Sequence, residues 1–539
     1  MKKTLVIIYF LFMCFFNSWA QTINSDSAKY VSDFEYFIKI LTETHPDPYS
    51  AYGNQIEFYR AKQNLRETIR KAHSDEEFVA HINTFLAKLE DGHTVLELPE
   101  TNKKEEQVLI ERKLPIRFKA AADQIFVQTS TKEYYDLVGL PLLAINDIPI
   151  NELIEKAALL EPTENYAGKQ YNMLIVLQNK RSLSHIIPNA ELLTMTFQQG
   201  KTKIQRQIEW VKKPEWIYNI SKSGINPDNN LLYTAIIGDK KKAGYMRWTA
   251  TYSREMVEEV RKNNPQYLEI NINGIYEDNL KKSRSGNLDE DIAGIPALYP
   301  SLLSLLKQIK KENINSLIID LRENGGGMTP LAIPLFYMIY GEKYLTFNSN
   351  DSYTRKVSPL LMQKFGTNLN DFNRSNHTTY TFGDYIFDSF MGYNPYMTIE
   401  DKRQQLRKGY FGKNIGTKEI TEAEKYYNPH LKVYAITSPK TFSAAYHIAY
   451  FLRQAGNAKI VGVASRQAGN TFMESTNFEL PQTKIRGSIS NAKQIFFPDD
   501  PKLGKSLKPD YEMQWNDYKK YNFDDNAEIL TILDNLTMR

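Results

Sequence analysis

The run Ser316-Leu317-Ile318-Ile319-Asp320-Leu321-Arg322-Glu323-Asn324-Gly325-Gly326-Gly327 decides the fold of this chain. Its first half is apolar, of strand length and free of alternation, which is the pattern of a strand covered on both faces. Three glycines follow, and then an apolar stretch through Leu331 to Ile339 that reads as a helix. Upstream, Tyr245-Met246-Arg247-Trp248 is a short strand, and a polar connection rich in Asn, Lys and Glu leads to a helix at about Leu302 to Ile309. Downstream, Lys432-Val433-Tyr434-Ala435-Ile436 is a second buried strand with a helix from Ala444 to Arg453 behind it, and Ile460-Val461-Gly462-Val463 is a third. Repeated strand–helix units predict an α/β core, a mainly parallel sheet with covering helices.

Two regions precede that core. From Ser25 to Leu89 apolar residues recur at helical spacing, as in Phe34, Phe37, Ile38, Leu41 and again in Phe78, Ile82, Phe85, Leu86, Leu89. His45-Pro46-Asp47-Pro48 breaks the first helix, and Ser74-Asp75-Glu76-Glu77 reads as the start of a later one. From about Leu114 to Val211 short strands dominate around one helix, Ile150 to Leu160, suggesting a small partly open barrel. Its run Gly139 to Glu152 resembles a passage of PDZ domains, with Asp147 where glycine is usual. The expected domains are therefore a signal peptide at 1–20, an N-terminal helical region at 21–98, a PDZ-like β-rich domain at 105–215, and a core at 230–539. A polar stretch between Glu342 and Asn428 shows little periodicity and is expected to be a long irregular insertion, at 342–428, over the sheet.

The ends and the composition bound the rest. Lys2 and Lys3, an apolar run from Leu5 to Phe16, small residues at Ser18 and Ala20 and then Gln21 form the layout of a secretory signal peptide cleaved after Ala20. The apolar run falls short of the roughly 20 residues a bilayer span needs, so an exported chain, periplasmic or extracellular and not membrane-spanning after cleavage, is expected. The single cysteine, Cys14, lies within that run, which leaves the mature chain without a disulfide or a thiolate nucleophile. Net charge is +4 on 24 % charged residues, and the two signs are interspersed, so no nucleic-acid partner is indicated. No cofactor motif or metal-ligand spacing is apparent, and the glycine run lacks both the Gly-Lys-Ser/Thr and the Gly-x-Gly-x-x-Gly patterns of nucleotide loops.

Three features could carry chemistry. Ser443, in Thr441-Phe442-Ser443-Ala444-Ala445, follows a buried strand and opens a helix. Amides of a first helical turn lack intrahelical partners and favour developing negative charge, so a serine there is suited to attack a carbonyl. Alternatively Thr441 or Ser443 merely caps the helix. The triple glycine can bring its backbone close to a ligand and present N–H groups to an anion, or can simply turn the chain. His93, in Asp91-Gly92-His93-Thr94, is either structural or the base that a serine nucleophile needs.

Together Asp91-Gly92-His93-Thr94, Leu317 to Gly327, Thr437-Ser438-Pro439-Lys440-Thr441-Phe442-Ser443-Ala444-Ala445 and Lys508-Pro509-Asp510-Tyr511 resemble the tail-specific or C-terminal processing serine peptidases. The branch they resemble includes tricorn core proteases and the repeats of interphotoreceptor retinoid-binding protein. The resemblance implies a ClpP/crotonase-like core, Ser443 as nucleophile, and an oxyanion hole from the amides of Ala444 and of Gly325 or Gly326. Many members use a lysine base shortly downstream; Val461 to Gly469 contains none, which makes His93 the implied base. Asp499, Asp500 and Glu474 are the candidates for an acid that orients it. Tyr446 and His447 stand where that branch commonly has acidic residues. The implied activity is an exported endopeptidase or C-terminal processing peptidase acting on peptides or proteins, their C-terminal tails included. The alternative is an inactive peptide- or apolar-ligand-binding protein on the same fold.

Overall fold

Ser316–Asp320 lies inside a six-stranded sheet, and all five of its residues are buried. The computed structural model describes residues 25–97, 112–188, 190–217, 221, 223–225, 231–239, 241–347, 351–388 and 397–535. The expected signal peptide falls outside the described residues. The strand order is Leu232–Ile237, Ala243–Trp248, Ser316–Asp320, Lys432–Thr437, Lys459–Gly462 and Tyr511–Glu512. Each neighbouring pair runs parallel except the first, which is a hairpin. Leu317 and Ile319 face one side, in a core with Leu302, Leu306, Leu335 and Ile448 from the helices Leu298–Lys311, Ala332–Tyr340 and Ala444–Gly456. Ile318 faces the other side, among Tyr245, Ile436, Ile529 and Ile532. Both faces are covered, which is why the strand reads as an unbroken apolar run.

The N-terminal region forms three helices, Ser25–Thr44, Gln55–Ile69 and Asp75–Leu86. Ser74 caps the last: its Oγ accepts from the Glu77 amide at 3.2 Å, while Glu77 returns a bond to the His73 amide. Their apolar faces close on a long antiparallel hairpin, Asn470–Glu479 with Arg486–Ile495, through Phe478, Leu480, Ile485 and Ile489. Buried Asp33 accepts two amides at the hairpin's tip, from Gln482 and Thr483. The same hairpin pairs with Val95–Leu96, just after His93. It thus ties the N-terminal helices to the core.

The β-rich unit has a two-stranded sheet, Ile116–Ala120 with Ile125–Ser130, and a four-stranded one built from Leu142–Ile145, Ile148–Pro149, Leu192–Gln199 and Thr202–Glu209. Asn146 and Asp147 make a two-residue turn with φ of 48° and 62°. A hairpin turn with both residues left-handed suits the twist of its strands, and Asp accepts that region more readily than most residues. Three helices form here, Ile150–Ala157, Tyr166–Gln178 and Lys180–Ser184, where the sequence pattern indicated one. The region Glu342 to Asn428 also differs from expectation. It carries the strands Ser352–Lys356 and Tyr385–Asp388 and several short helices, among them Pro359–Lys364, Leu369–Asn376 and Ile399–Arg407. Those helices are capped by Ser358, Asn368 and Thr398, and span two or three turns at most, too few for a periodic pattern to emerge.

Candidate active site

Ser443 stands between strand Lys432–Thr437 and helix Ala444–Gly456 with φ 53° and ψ −123°. A non-glycine residue there stores roughly 1–3 kcal/mol of strain and persists only where its surroundings enforce it. The preceding turn is enforced at several points. Thr441 Oγ1 donates to the Leu321 carbonyl at 2.9 Å, Ser438 Oγ to the Arg322 carbonyl at 2.6 Å, and the Phe442 amide to the Asn324 carbonyl at 3.2 Å. Neither hydroxyl caps the helix: Ser443 makes no side-chain capping bond, and Thr441 is committed to Leu321. The Ser443 hydroxyl has no protein partner among the described residues.

These bonds run to the segment Asp320 to Gly327, so the glycine turn and the serine turn form one block. Buried Asn324 sets the glycine turn by donating to the Trp248 carbonyl at 3.0 Å and accepting the Gly326 amide at 2.9 Å. Gly326 has φ 114°, and a Cβ on it would lie 2.7 Å from Ser443 Cβ and 3.0 Å from the Phe442 carbonyl oxygen. Of the amides expected to face an oxyanion, that of Gly326 is thus held by Asn324. Those of Ala444 and Gly325, and also Gly327, have no acceptor among the described residues. Gly326→Ala is expected to lower kcat by about 10²-fold or more, the size of an oxyanion-hole defect, because the turn must move away from Ser443. Steady-state kinetics check this; kcat within twofold of wild type contradicts it.

Below the turn lies a buried charge network. Arg322 Nη2 donates to Asp320 Oδ2 at 2.7 Å and Nη1 to Glu528 Oε2 at 2.6 Å. Lys119 Nζ lies 2.8 Å from Glu528 Oε1, and Tyr245 and Tyr518 donate hydroxyls to Asp320 and Glu528. Losing one partner of such a pair costs about 3–5 kcal/mol, since the other charge stays buried. The network pins the start of the glycine turn to helix Ala527–Asn535 and, through Lys119, to the β-rich unit.

His93 reaches this block from the N-terminal region. Its ring stacks on that of Phe442, the residue before Ser443, with centroids 4.5 Å apart and planes 24° from parallel. The backbone around it is fixed by strand Arg486–Ile495: Ser488 Oγ donates to the His93 carbonyl at 2.8 Å, and the Ser490 amide donates to Thr94 Oγ1 at 2.9 Å. His93 Nδ1 lies 3.6 Å from Glu164 Oε1 and 4.0 Å from Asp91 Oδ1, and neither ring nitrogen has a hydrogen-bond partner among the described residues. Burial pushes the Glu164 carboxyl up, against the pull of His93 and of the Ala468 amide, which donates to Oε2 at 2.8 Å. Burial also opposes charge on Asp91, but His45, His93 and Thr94 together hold it below the usual carboxylate range. His45 Nδ1 accepts the Asp47 amide, so its Nε2 carries the hydrogen and donates to Asp91 Oδ2 at 3.3 Å. Asp91, His93 and Glu164 each offer one ligand atom within 4.8 Å of the others, a spacing that a divalent cation could also span.

The acids anticipated from sequence lie elsewhere. Glu474 is gripped by Arg355 at 3.0 Å and approached by Lys364 at 3.7 Å. Asp500 caps a short turn by accepting the Lys502 and Leu503 amides, and Asp499 is exposed. The carboxylates beside His93 are Glu164 and Asp91. Nothing around Glu164 marks it in sequence, because it sits in a loop of the β-rich unit between two helices.

His447, one turn into the helix, is buried. Its Nδ1 is 2.9 Å from Thr329 Oγ1 and its Nε2 is 2.8 Å from Gln494 Oε1. Burial drives its pKa from 6.5 down to about 3, against the Gln494 bond. Above pH 6.5 neither the folded nor the unfolded chain protonates it. Below pH 6.5 the unfolded chain binds a proton that the folded chain refuses, so stability is lost as pH falls and levels off near pH 3. The contribution is on the order of 5 kcal/mol. His447→Gln is expected to melt with a shallower pH dependence than wild type between pH 6.5 and 4; parallel curves would refute this. Beside the glycine turn, on the side of Thr249 to Tyr252, opens a cavity of about 640 Å³ that Ile270, Asp278, Lys281 and Lys440 also line.

Residues 295–513 match the family model described as Peptidase family S41. No curated protein matches the sequence. Among solved structures, mature CPAF shares 14 % identity over 95 % of this chain and 99 % of that chain, with a TM-score of 0.57. Mature CPAF complexed with lactacystin shares 15 % identity over 94 % and 99 %, with a TM-score of 0.56. At such identities the likeness is one of fold.

Proposed function

We propose that Ser443 is the nucleophile and His93 the base of a serine-type peptidase acting on peptides or proteins, a reading supported by the match of residues 295–513 to the Peptidase family S41 model. The observation that carries this reading is the stacking of His93 on Phe442, next to a strained serine at a helix N-terminus, with Glu164 on the Nδ1 side. With Nδ1 turned to Glu164, Nε2 is the nitrogen assigned to take the Ser443 proton. In the cycle, Oγ attacks the peptide carbonyl carbon as His93 takes its proton, and the Ala444 amide with one from the glycine turn receives the oxyanion. The imidazolium then gives the proton to the leaving amine, and water, deprotonated by the same ring, releases the acyl group. Glu164 keeps the ring oriented and offsets its charge. The distances around His93 are looser than hydrogen bonds, as is common before substrate closes a site.

The test is labelling with a fluorophosphonate probe, which needs an activated serine and not merely a pocket. Wild type should be labelled at Ser443 and Ser443→Ala should not; an unlabelled wild type sinks the reading. Two finer features belong to the same proposal. The charged, apolar and small-residue order of residues 1–21 supports export with cleavage after Ala20, and a mature protein that still begins at Met1 rules it out. The hairpin turn and strands of the β-rich unit support docking of an extended peptide tail by strand addition; equal cleavage of free-acid and amidated peptides argues against that.

A further inference from the structure

We infer that Gln467 is a positioning residue for the nucleophile, holding the strained Ser443 turn through its side-chain oxygen; this rests on Ser443 being the nucleophile. Gln467 is fully buried, and its Oε1 accepts the Ser443 amide hydrogen. The identity of that atom follows from chemistry, since only the oxygen can face an N–H donor. The other end of the side chain meets His447, whose Nε2 lies 3.4 Å from Gln467 Nε2. Gln494 donates its own amide nitrogen to the Gly469 carbonyl at 3.1 Å, so it presents its oxygen to His447 Nε2. His447 Nε2 therefore carries the hydrogen and cannot accept from Gln467. His447 walls the glutamine in, and among the described residues the Ser443 amide is the strong partner of its side chain.

The same short segment also reaches the base. The Ala468 amide, next along the chain, donates to Glu164 Oε2, the carboxylate beside His93. The Gln467 amide donates to Ser465 Oγ at 3.2 Å, which stiffens the segment. Residues 465–468 thus grip the nucleophile's peptide with one group and the base's carboxylate with the next, fixing their separation. Helix Ala444–Gly456 cannot do this, because the Ser443 amide precedes it and no cap bond reaches back.

Gln467→Met keeps the length and apolar volume of the side chain but removes the acceptor; Gln467→Glu keeps an acceptor oxygen. Gln467→Met is expected to lower kcat about 10- to 100-fold with KM within about threefold, the pattern of a misaligned reacting group. Fluorophosphonate labelling should slow in parallel, and Gln467→Glu should recover at least tenfold over Gln467→Met. Gln467→Leu repeats the loss with a different shape, so that one folded variant suffices. Wild-type kcat in a folded Met or Leu variant, or an equal fall in Gln467→Glu, overturns the inference. Failure of wild type itself to label overturns the nucleophile assignment instead, which keeps the two outcomes separate.

Discussion

Ser443→Ala is expected to abolish turnover, with kcat down by about 10⁶-fold, the loss seen when a triad hydrolase is stripped of its nucleophile. The fold should be untouched. The hydroxyl has no protein partner among the described residues, and alanine keeps the same Cβ and so the same backbone strain at φ 53°. Thr441, Ser438 and Asn324 hold the turn through bonds that do not involve the Ser443 side chain. A melting temperature within a degree or two of wild type, with substrate still bound, is the expected companion of the lost activity. Hydrolysis at even a hundredth of the wild-type rate would sink the assignment.

His93→Ala comes next in size, with a loss of about 10⁴- to 10⁶-fold in kcat and little change in KM. The residual rate reflects binding and oxyanion stabilisation. The variant leaves a ring-sized gap on the face of Phe442, so added imidazole should enter it and restore part of the activity. Glu164 is already pushed toward its neutral form by burial, and losing His93 removes one of the groups that pulls it down. Unaltered turnover in the variant, or loss that imidazole does not touch at any concentration, speaks against a base at this position.

How much of this is readable in sequence depends on the range of the interaction. The central strands are readable because each is an uninterrupted apolar run buried on both faces, as in Ser316–Asp320. Ser443, the glycine turn and His93 can be put forward as candidates from sequence because each sits in a short motif whose backbone needs are local. Glu164 is not, since what singles it out is proximity to a histidine from another part of the chain. The acids put forward in its place, Glu474, Asp499 and Asp500, follow the serine in sequence but are drawn to Arg355, to turn amides or to solvent. The hairpin Asn470–Glu479 and Arg486–Ile495 is hidden because its burial does not alternate cleanly and its buried positions include Thr476, Ser490, Asn491 and Gln494. The polar connection after Trp248 is hidden too: it folds into the helices Arg254–Asn263, Leu268–Gly274 and Leu288–Gly294, whose exposed faces dominate its composition.

The buried pairing of Arg322 with Glu528 joins residues 206 positions apart. Glu528 emerges from the ribosome long after the glycine turn, and until it arrives Asp320 is the carboxylate, among the described residues, that pairs with the guanidinium beneath that turn. The support beneath the glycine turn is therefore completed late in synthesis. A growing chain carries Ser443 and the three glycines before the buried partner beneath them exists, and the network under the turn closes only once helix Ala527–Asn535 has been made.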